Sequence, residues 1–426
     1  MLKGPFVLLL AAARSHLGWV MPYYPAYQTF LLALLTAYLL YRFVEGAVRL
    51  RGPALTEAAL DAALGAALLA ALWLWSEGFI VYGDEKDWLR QALDFVNGPR
   101  GSMALSDSVM PLVFAPLLKA GGLPLLKTAI FGLLAGHFVI WRRLVARLAG
   151  AGFPLSAGLV FACAAVCMHC YPVTVSYMAF GYFLSSLALL LALYPPEDAW
   201  LLLPAVALLG LLFRQESVVL LPLALVRLLR LRPGPVRLLP VALAALLALP
   251  ALYSSWRDEL MMNSEKFDPG LVAGCLASGK EARYCYKPGL TANESYMLNV
   301  LAALSDRGGI PPGDLQELTR KLYEAPSPSL ENLYYNLRFR PPWILALTAA
   351  AFAALAFLLF QPGPQRGPAA VLALAALPYF VLFYAQKYSV GGFGRFYFYL
   401  FPLYLCFLAA AWRRAAALLP GRRAIA

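Results

Sequence analysis

Long apolar runs are the feature that most constrains how this chain can fold. A helix of about 20 apolar residues crosses a bilayer core, and runs of that kind, rich in Leu, Ala and Phe, recur throughout the 426 residues. Hydrophobic residues make up 61% of the chain and charged residues 14%, whereas soluble domains are about half apolar and a quarter charged. The sequence therefore predicts an all-α polytopic membrane protein.

The apolar runs predict about 11–13 transmembrane helices. They lie near residues 4–23, 27–47, 58–81, 108–141, 154–171, 177–194, 199–214, 216–230, 238–254, 343–361, 368–386 and 396–412. Within 108–141, we expect Lys119, Gly121 and Gly122 to separate an interfacial or re-entrant piece from a true crossing. The predicted organisation is a transmembrane module over 1–254, an extracytoplasmic loop domain over 255–341 and C-terminal transmembrane helices over 342–426.

The arginines predict the orientation of the chain. A net charge of +12 could indicate nucleic-acid binding, but most arginines lie at the ends of apolar runs, as the positive-inside rule expects. We therefore expect membrane lipids and no nucleic acid as partners, and both termini in the cytoplasm, with an Ala/Leu/Arg-rich composition that suggests a bacterial inner membrane. The clusters are Arg42, Arg49 and Arg51; Arg142, Arg143 and Arg147; Arg227, Arg230, Arg232 and Arg237; Arg366; and Arg413, Arg414, Arg422 and Arg423.

Two polar segments, 82–107 and 255–341, then face the extracytoplasmic side. In the first, apolar residues recur at helical spacing over 88–96, opposite charged residues, which predicts a short amphipathic helix on the membrane surface. The second contains two predicted helices that open with capping-box patterns. It also contains Cys275 and Cys285, which could form a disulfide in an oxidising compartment.

Three acids, Asp84, Glu85 and Asp87, stand where an apolar run ends and the amphipathic helix begins. Asp84 could simply cap that helix, but one cap needs only one acid. A carboxylate at the apolar boundary can act as a base towards a hydroxyl. With its neighbours it can also hold a divalent cation such as Mg²⁺ or Mn²⁺. The sequence therefore favours a chemical role for these acids.

Two further sets of charged residues are candidates for an anion site. Arg214 and Glu216 lie between two apolar halves, where charges must pair or line a watered cavity. They form either a structural ion pair or a site in which Arg214 binds an anionic head group. Lys387 and Arg395 flank a Gly-rich stretch that is either a flexible loop or a backbone able to approach an anion closely.

Other polar residues within the apolar runs are interpreted as structural. Cys163, Cys167 and Cys170 fall on one helical face at i, i+4 and i+7, where close packing of small residues explains them better than a metal does. His137 is interpreted as a core histidine whose hydrogen bonds are satisfied.

Four stretches, in chain order, resemble the multi-spanning glycosyltransferases of the GT-C fold, particularly bacterial relatives of the protein mannosyltransferases and the lipid A aminoarabinose transferase. They are GDEKDWLRQALDFVNG at 83–98, SVMPLVFAPLLKAGG at 108–122, LLGLLFRQESVVLLPL at 208–223 and GGFGRFYFYLFPLYL at 391–405. The sequence departs from the family pattern in two respects. The acidic loop follows the third predicted crossing instead of the first, and "MPL" stands where a double proline is more usual.

The resemblance implies an inverting transferase that moves a sugar from a polyprenyl-phosphate donor to a lipid, glycan or protein acceptor on the extracytoplasmic face. Asp84 would be the base, with Glu85 second. The phosphate would be received by Arg214 and Arg395, with Lys387 next, and the remaining substrate-site residues would be Asp87 and Glu216. No cofactor is certain, and a need for a divalent cation stays open. The alternative is a transporter or lipid flippase with a substrate path at Arg214 and Glu216.

Overall fold

The computed structural model describes residues 24–48, 50–76, 89, 92, 110–170, 178–194, 202–213, 241, 342–380 and 397–418. This part of the chain is helical and has no strands. Its helices are α1 (Tyr24–Val48), α2 (Pro53–Trp75), α3 (Met110–Ala149), α4 (Phe153–Cys170), α5 (Met178–Leu193), α6 (Leu202–Phe213), α7 (Pro342–Phe360), α8 (Arg366–Phe380) and α9 (Tyr397–Leu418).

The helices follow the predicted apolar runs, which confirms the all-α class for the described residues. Four of these helices are long and apolar enough to cross a membrane: Pro53–Trp75, Val113–Ala149, Phe153–Cys170 and Pro342–Phe360. The predicted crossings at 4–23 and 216–230, the loop domain 255–341 and, apart from residue 241, the predicted crossing at 238–254 lie outside the described residues. The total number of crossings therefore stays a prediction.

The predicted break in the long third helix is confirmed at Gly121 and Gly122. Both residues have non-helical backbone angles, and Gly122 has a φ of 63°, a left-handed value that glycine adopts readily. A Cβ on Gly121 would lie only 2.7 Å from the Cβ of Leu125. The helix resumes at Leu123, so α3 consists of a short first part and a long second part.

The long part of α3 is the centre of the described bundle. It packs against α2, α4, α5 and α9, and its Phe131, Phe138 and Trp141 are fully buried. The first half of α9 supplies the opposing aromatic surface, with Tyr399 and Tyr404 also buried. Apolar packing around α3 therefore places the remaining helices.

The predicted juxtamembrane helix is described at two positions, Leu89 and Ala92, and both are helical. Ala92 is fully buried within the main apolar core, and Leu89 packs partly buried against it. The apolar face predicted for 88–96 is confirmed at these two residues.

Several arginine clusters meet at one end of the bundle, which we call the arginine end. Arg413 lies across the end of α3, where its Nη1 donates to the carbonyl oxygens of Arg147 at 3.3 Å and Leu148 at 3.5 Å. Arg414 donates to the carbonyl oxygen of Pro362, in the turn between α7 and α8. These bonds cap backbone carbonyls that no further helical turn would satisfy. These contacts bring Arg147, Arg413 and Arg414 to one end, as predicted, whereas Arg227, Arg230, Arg232, Arg237, Arg422 and Arg423 lie outside the described residues.

A buried ion cluster joins the start of α2 to α3 near the arginine end. Arg142 Nη2 lies 2.7 Å from Asp61 Oδ1 and 3.0 Å from Glu57 Oε1, and Arg143 Nε donates to Asp61 Oδ2. Arg142 is 2% exposed and Asp61 6%. The guanidinium of Arg142 also lies 5.1 Å from the ring centroid of Phe153. A charge this deeply buried needs close partners, and here the cluster supplies them.

The ion cluster alters the interpretation of the arginines that were read as markers of the membrane boundary. The predicted crossing at 108–141 was to end before Arg142 and Arg143, but α3 continues to Ala149. Arg142 therefore lies inside the helix bundle, because carboxylates on α2 neutralise it there.

The ion cluster predicts unequal effects of removing its two acids. We expect Asp61→Ala to lower the free energy of unfolding by about 3–5 kcal/mol, because it leaves the buried guanidinium without its closest carboxylate. Glu57 is 56% exposed, so Glu57→Ala should cost about 1 kcal/mol or less. Denaturation of the purified protein in mixed micelles measures both, and equal losses would contradict this account of the cluster.

Candidate functional site

The residues assigned to the site from the sequence lie outside the described residues. These are Asp84, Glu85, Asp87, Arg214, Glu216, Lys387 and Arg395. Their roles stay predictions, and whether they come together is not shown. The described helices do show where the neighbouring helix ends lie.

The end of α2 and the start of α9 both lie opposite the arginine end. On α2, Asp61 contacts Arg142, and Trp73, twelve residues later, contacts Phe131 with ring centroids 5.9 Å apart. The two helices are therefore antiparallel, and α2 ends about 18 Å or more from the ion cluster. Its chain reaches Asp84 nine residues after Trp75.

The start of α9, like the end of α2, lies opposite the arginine end. Cys167, late in α4, donates its Sγ–H to the carbonyl oxygen of Tyr397 at 3.3 Å, whereas Arg413, near the other end of α9, reaches the carbonyl oxygen of Leu148 at the arginine end. Arg395 precedes Tyr397 by two residues. We call the end of the bundle opposite the arginines the far end. The chain leaves α2 towards the acids, and enters α9 from the glycine-rich stretch, on the far-end side.

The far end contains a buried lysine that the sequence analysis missed. Lys127 is 2% exposed and lies fifteen residues before Arg142, about 22 Å along the helix axis. Its Nζ is 4.4 Å from the ring centroid of Trp73 and 5.4 Å from that of Phe131. A charged residue within a membrane span is expensive and indicates function by default. The missed signal was a lysine five residues after Gly122, inside an apolar run.

His137 joins three helices in the middle of the bundle. Its Nε2 lies 2.7 Å from the carbonyl oxygen of Phe398 on α9. That carbonyl has no helical N–H to accept, because the residue four positions later is Pro402. On the other side of the ring, Nδ1 lies 3.0 Å from the carbonyl oxygen of Tyr182 and 3.2 Å from Ser186 Oγ on α5. The interpretation of His137 as a satisfied core histidine is confirmed.

The cysteines of α4 lie among packed helices. Cys167 is buried, and Cys163 and Cys170 are half-buried; all three are free thiols. Within the described ranges, no group of three or more His, Cys, Asp or Glu side chains is placed to hold a metal ion. The hydrogen bond from Cys167 to α9 gives this thiol a packing role.

The fold of the described residues defines the class of the protein as a helical membrane protein. No protein-family model matches the sequence, and comparison with curated proteins and with solved structures gives no match. A more specific assignment therefore depends on the chemistry of the sequence motifs.

The carbonyl oxygen of Phe398 has no helical hydrogen bond because of Pro402, and its contact with His137 can be tested. If Nε2–H donates to Phe398, His137→Leu should lower the free energy of unfolding by about 1–3 kcal/mol. In a Pro402→Ala background the helix supplies its own N–H, so the same substitution should cost about 1 kcal/mol less. Equal costs in the two backgrounds would indicate the other tautomer, in which Nε2 accepts from Trp141, whose Nε1 lies 3.1 Å away.

Proposed function

We propose that this protein is a membrane glycosyltransferase. It takes a sugar from a polyprenyl-phosphate donor and transfers it to a lipid, glycan or protein acceptor on the extracytoplasmic face. We further propose that it resides in a bacterial inner membrane with both termini cytoplasmic.

One observation supports this proposal above the others: the acid-rich sequence follows α2 at the end of the bundle opposite the arginines. The positive-inside rule assigns an arginine-rich end to the cytoplasm. The far end is then extracytoplasmic, and an acidic segment attached there suits a reaction between a lipid-borne donor and an acceptor in water.

The proposed reaction is a displacement at the anomeric carbon of the sugar. Asp84, or Glu85 in second place, removes the proton from the acceptor hydroxyl as its oxygen forms the new glycosidic bond. The bond from the sugar to the phosphate oxygen breaks, and its electron pair stays on the phosphate. This leaving group is a stable anion, so a strong general acid is unnecessary. Cations stabilise it instead, and the proposed ones are Arg214, Arg395 and Lys387.

Asp87 and Glu216 complete the proposed substrate site. Carboxylates can bind sugar hydroxyls, and Asp84, Glu85 and Asp87 together could hold Mg²⁺ or Mn²⁺. Activity measured after chelation and after adding back either ion decides whether the reaction depends on a metal.

The proposal predicts that Asp84→Asn lowers sugar transfer from a labelled polyprenyl-phosphate donor by about 10²–10⁴-fold, because the amide cannot accept the hydroxyl proton. Glu57→Gln is the matched control, since it changes an exposed acid near the arginine end and should leave transfer unchanged. Both variants should retain the unfolding midpoint of the wild type.

Unchanged turnover by the Asp84→Asn variant would refute the assignment of the base. The transporter or flippase alternative makes a different prediction. Proteoliposomes of the wild-type protein would then move a lipid or solute across the membrane and form no glycosylated product.

A further inference from the structure

We infer that the arginine end of the bundle binds anionic phospholipids through a surface formed by four arginines, which we call the lipid patch. The patch consists of Arg147 at the end of α3, Arg366 at the start of α8, and Arg413 and Arg414 near the end of α9. The ligand class is a glycerophospholipid whose phosphate diester has no positive group beside it. The inference does not rest on the proposed function, and it holds for either orientation of the chain.

Contacts between helix ends hold the four arginines close together. Arg413 donates to the backbone carbonyl oxygen of Arg147 at 3.3 Å. Arg414, the next residue, donates to the carbonyl oxygen of Pro362, which lies four residues before Arg366 in the turn between α7 and α8. The patch is therefore one continuous chain of contacts across three parts of the fold.

Two glycines let the guanidinium groups of α9 lie directly against the backbone of neighbouring turns. A Cβ on Gly150 would lie 3.1 Å from Cζ of Arg413, and a Cβ on Gly363 would lie 3.2 Å from Cζ of Arg414. These guanidinium groups are thus fixed by close packing as well as by hydrogen bonds. Groups that are already ordered lose less conformational entropy when they bind an anion.

The patch has no counter-charge among the residues that the structure describes. Two acids near this end, Glu57 and Asp61, pair with Arg142 and Arg143. Within the described part of the chain, no carboxylate forms an ion pair with an arginine of the lipid patch. Like charges held close together repel one another, and an anion bound from outside offsets this repulsion.

The patch is open to a ligand. Arg147, Arg366 and Arg413 are exposed. A guanidinium has five N–H donors, and Arg413 uses its Nη1 for the two carbonyl contacts. Its other donors remain for a phosphate, which a guanidinium can bind bidentately.

The position of the patch favours a lipid over other anions. Helices α3 and α7 include stretches that are long and apolar enough to cross a membrane, so the patch lies at the level where such helices meet the lipid headgroups. Trp412, beside the patch, is 76% exposed, and tryptophan is enriched at this level. The positive-inside rule accounts for the sign of these residues, whereas their connection across several helix ends creates a place for a headgroup phosphate.

Titration of the full-length protein in detergent micelles with phosphatidylglycerol and with phosphatidylcholine, followed by native mass spectrometry, tests the inference. We expect the wild type to bind phosphatidylglycerol about tenfold more tightly, because choline places a positive charge beside the phosphate. The double variant Arg147→Gln/Arg366→Gln should raise the Kd for phosphatidylglycerol by about tenfold or more and leave the Kd for phosphatidylcholine unchanged. These side chains are chosen because Arg413 and Arg414 also bind backbone carbonyls.

Lys119→Gln is the control variant, since Lys119 is an exposed cation at the opposite end of α3. It should bind phosphatidylglycerol as the wild type does. An equal loss of binding in this variant would overturn the assignment to the lipid patch.

Thermal unfolding separates lipid binding from a structural role. Phosphatidylglycerol should raise the Tm of the wild type and have a smaller effect on the double variant. A lower Tm of the lipid-free double variant together with weaker binding of both lipids would overturn the inference in favour of structural arginines. An unchanged Kd for phosphatidylglycerol in the double variant, or equal affinity of the wild type for both lipids, would also overturn it.

Two further outcomes are distinguishable in the same experiments. Tighter binding of a short DNA duplex than of phosphatidylglycerol would overturn the inference in favour of a nucleic-acid surface. If the wild type prefers phosphatidylglycerol but transfers no sugar, the proposed function fails and the lipid patch stands. Sugar transfer without any preference for phosphatidylglycerol would have the reverse meaning.

Discussion

The ion pair between Asp61 and Arg142 fixes how α2 and α3 lie against each other, and the rest of the described bundle is arranged around α3. In a bilayer, helices are not driven together by the hydrophobic effect, because lipid tails are as apolar as their side chains. Close packing and polar contacts must hold them. Three polar contacts use α3: Arg142 binds α2, His137 reaches α5 and α9, and the carbonyl oxygen of Leu148 accepts from Arg413 of α9. The central helix is thus held along most of its length.

This arrangement has a consequence for the long connection between α2 and α3. The two helices are joined near the arginine end by the ion cluster and nearer the far end by Trp73, Phe131 and Lys127. The connection that contains the acids therefore begins and ends on two helices whose relative position is set by both charge and aromatic packing. The proposed general base needs a defined position relative to the substrate, and the end of α2 that precedes the acids is fixed in this way. The proposed chemistry thus depends on contacts that are far from it.

Much of the fold could be predicted from the sequence because apolar run length, glycine pairs and arginine position are local signals. They predicted the described helices, the break at Gly121 and Gly122 and the position of Arg147, Arg413 and Arg414 at one end of the bundle. The ion pair between Asp61 and Arg142 could not be predicted in this way, since the two residues are 81 positions apart. Each also lies in an apolar run in which no periodic pattern of polar residues shows which face is buried. Lys127 was missed for a different reason, since a lysine five residues after Gly122 inside an apolar run is a local signal. For the candidate site, residue types and order along the chain gave Asp84 and Arg395 a chemistry, but only tertiary contacts could bring them together.

The two ends of α3 use different cations, and the difference has a physical reason. At the arginine end, guanidinium groups make several directed bonds at once: Arg142 binds two carboxylates, and Arg413 binds two carbonyls. A rigid fork of donors suits permanent contacts between helices. At the far end, Lys127 presents a single compact charge against aromatic rings, and cation–π contacts are weakly directional compared with a bidentate ion pair. Both groups therefore hold α3 against α2, the guanidinium through directed bonds to carboxylates and the ammonium through attraction to ring faces.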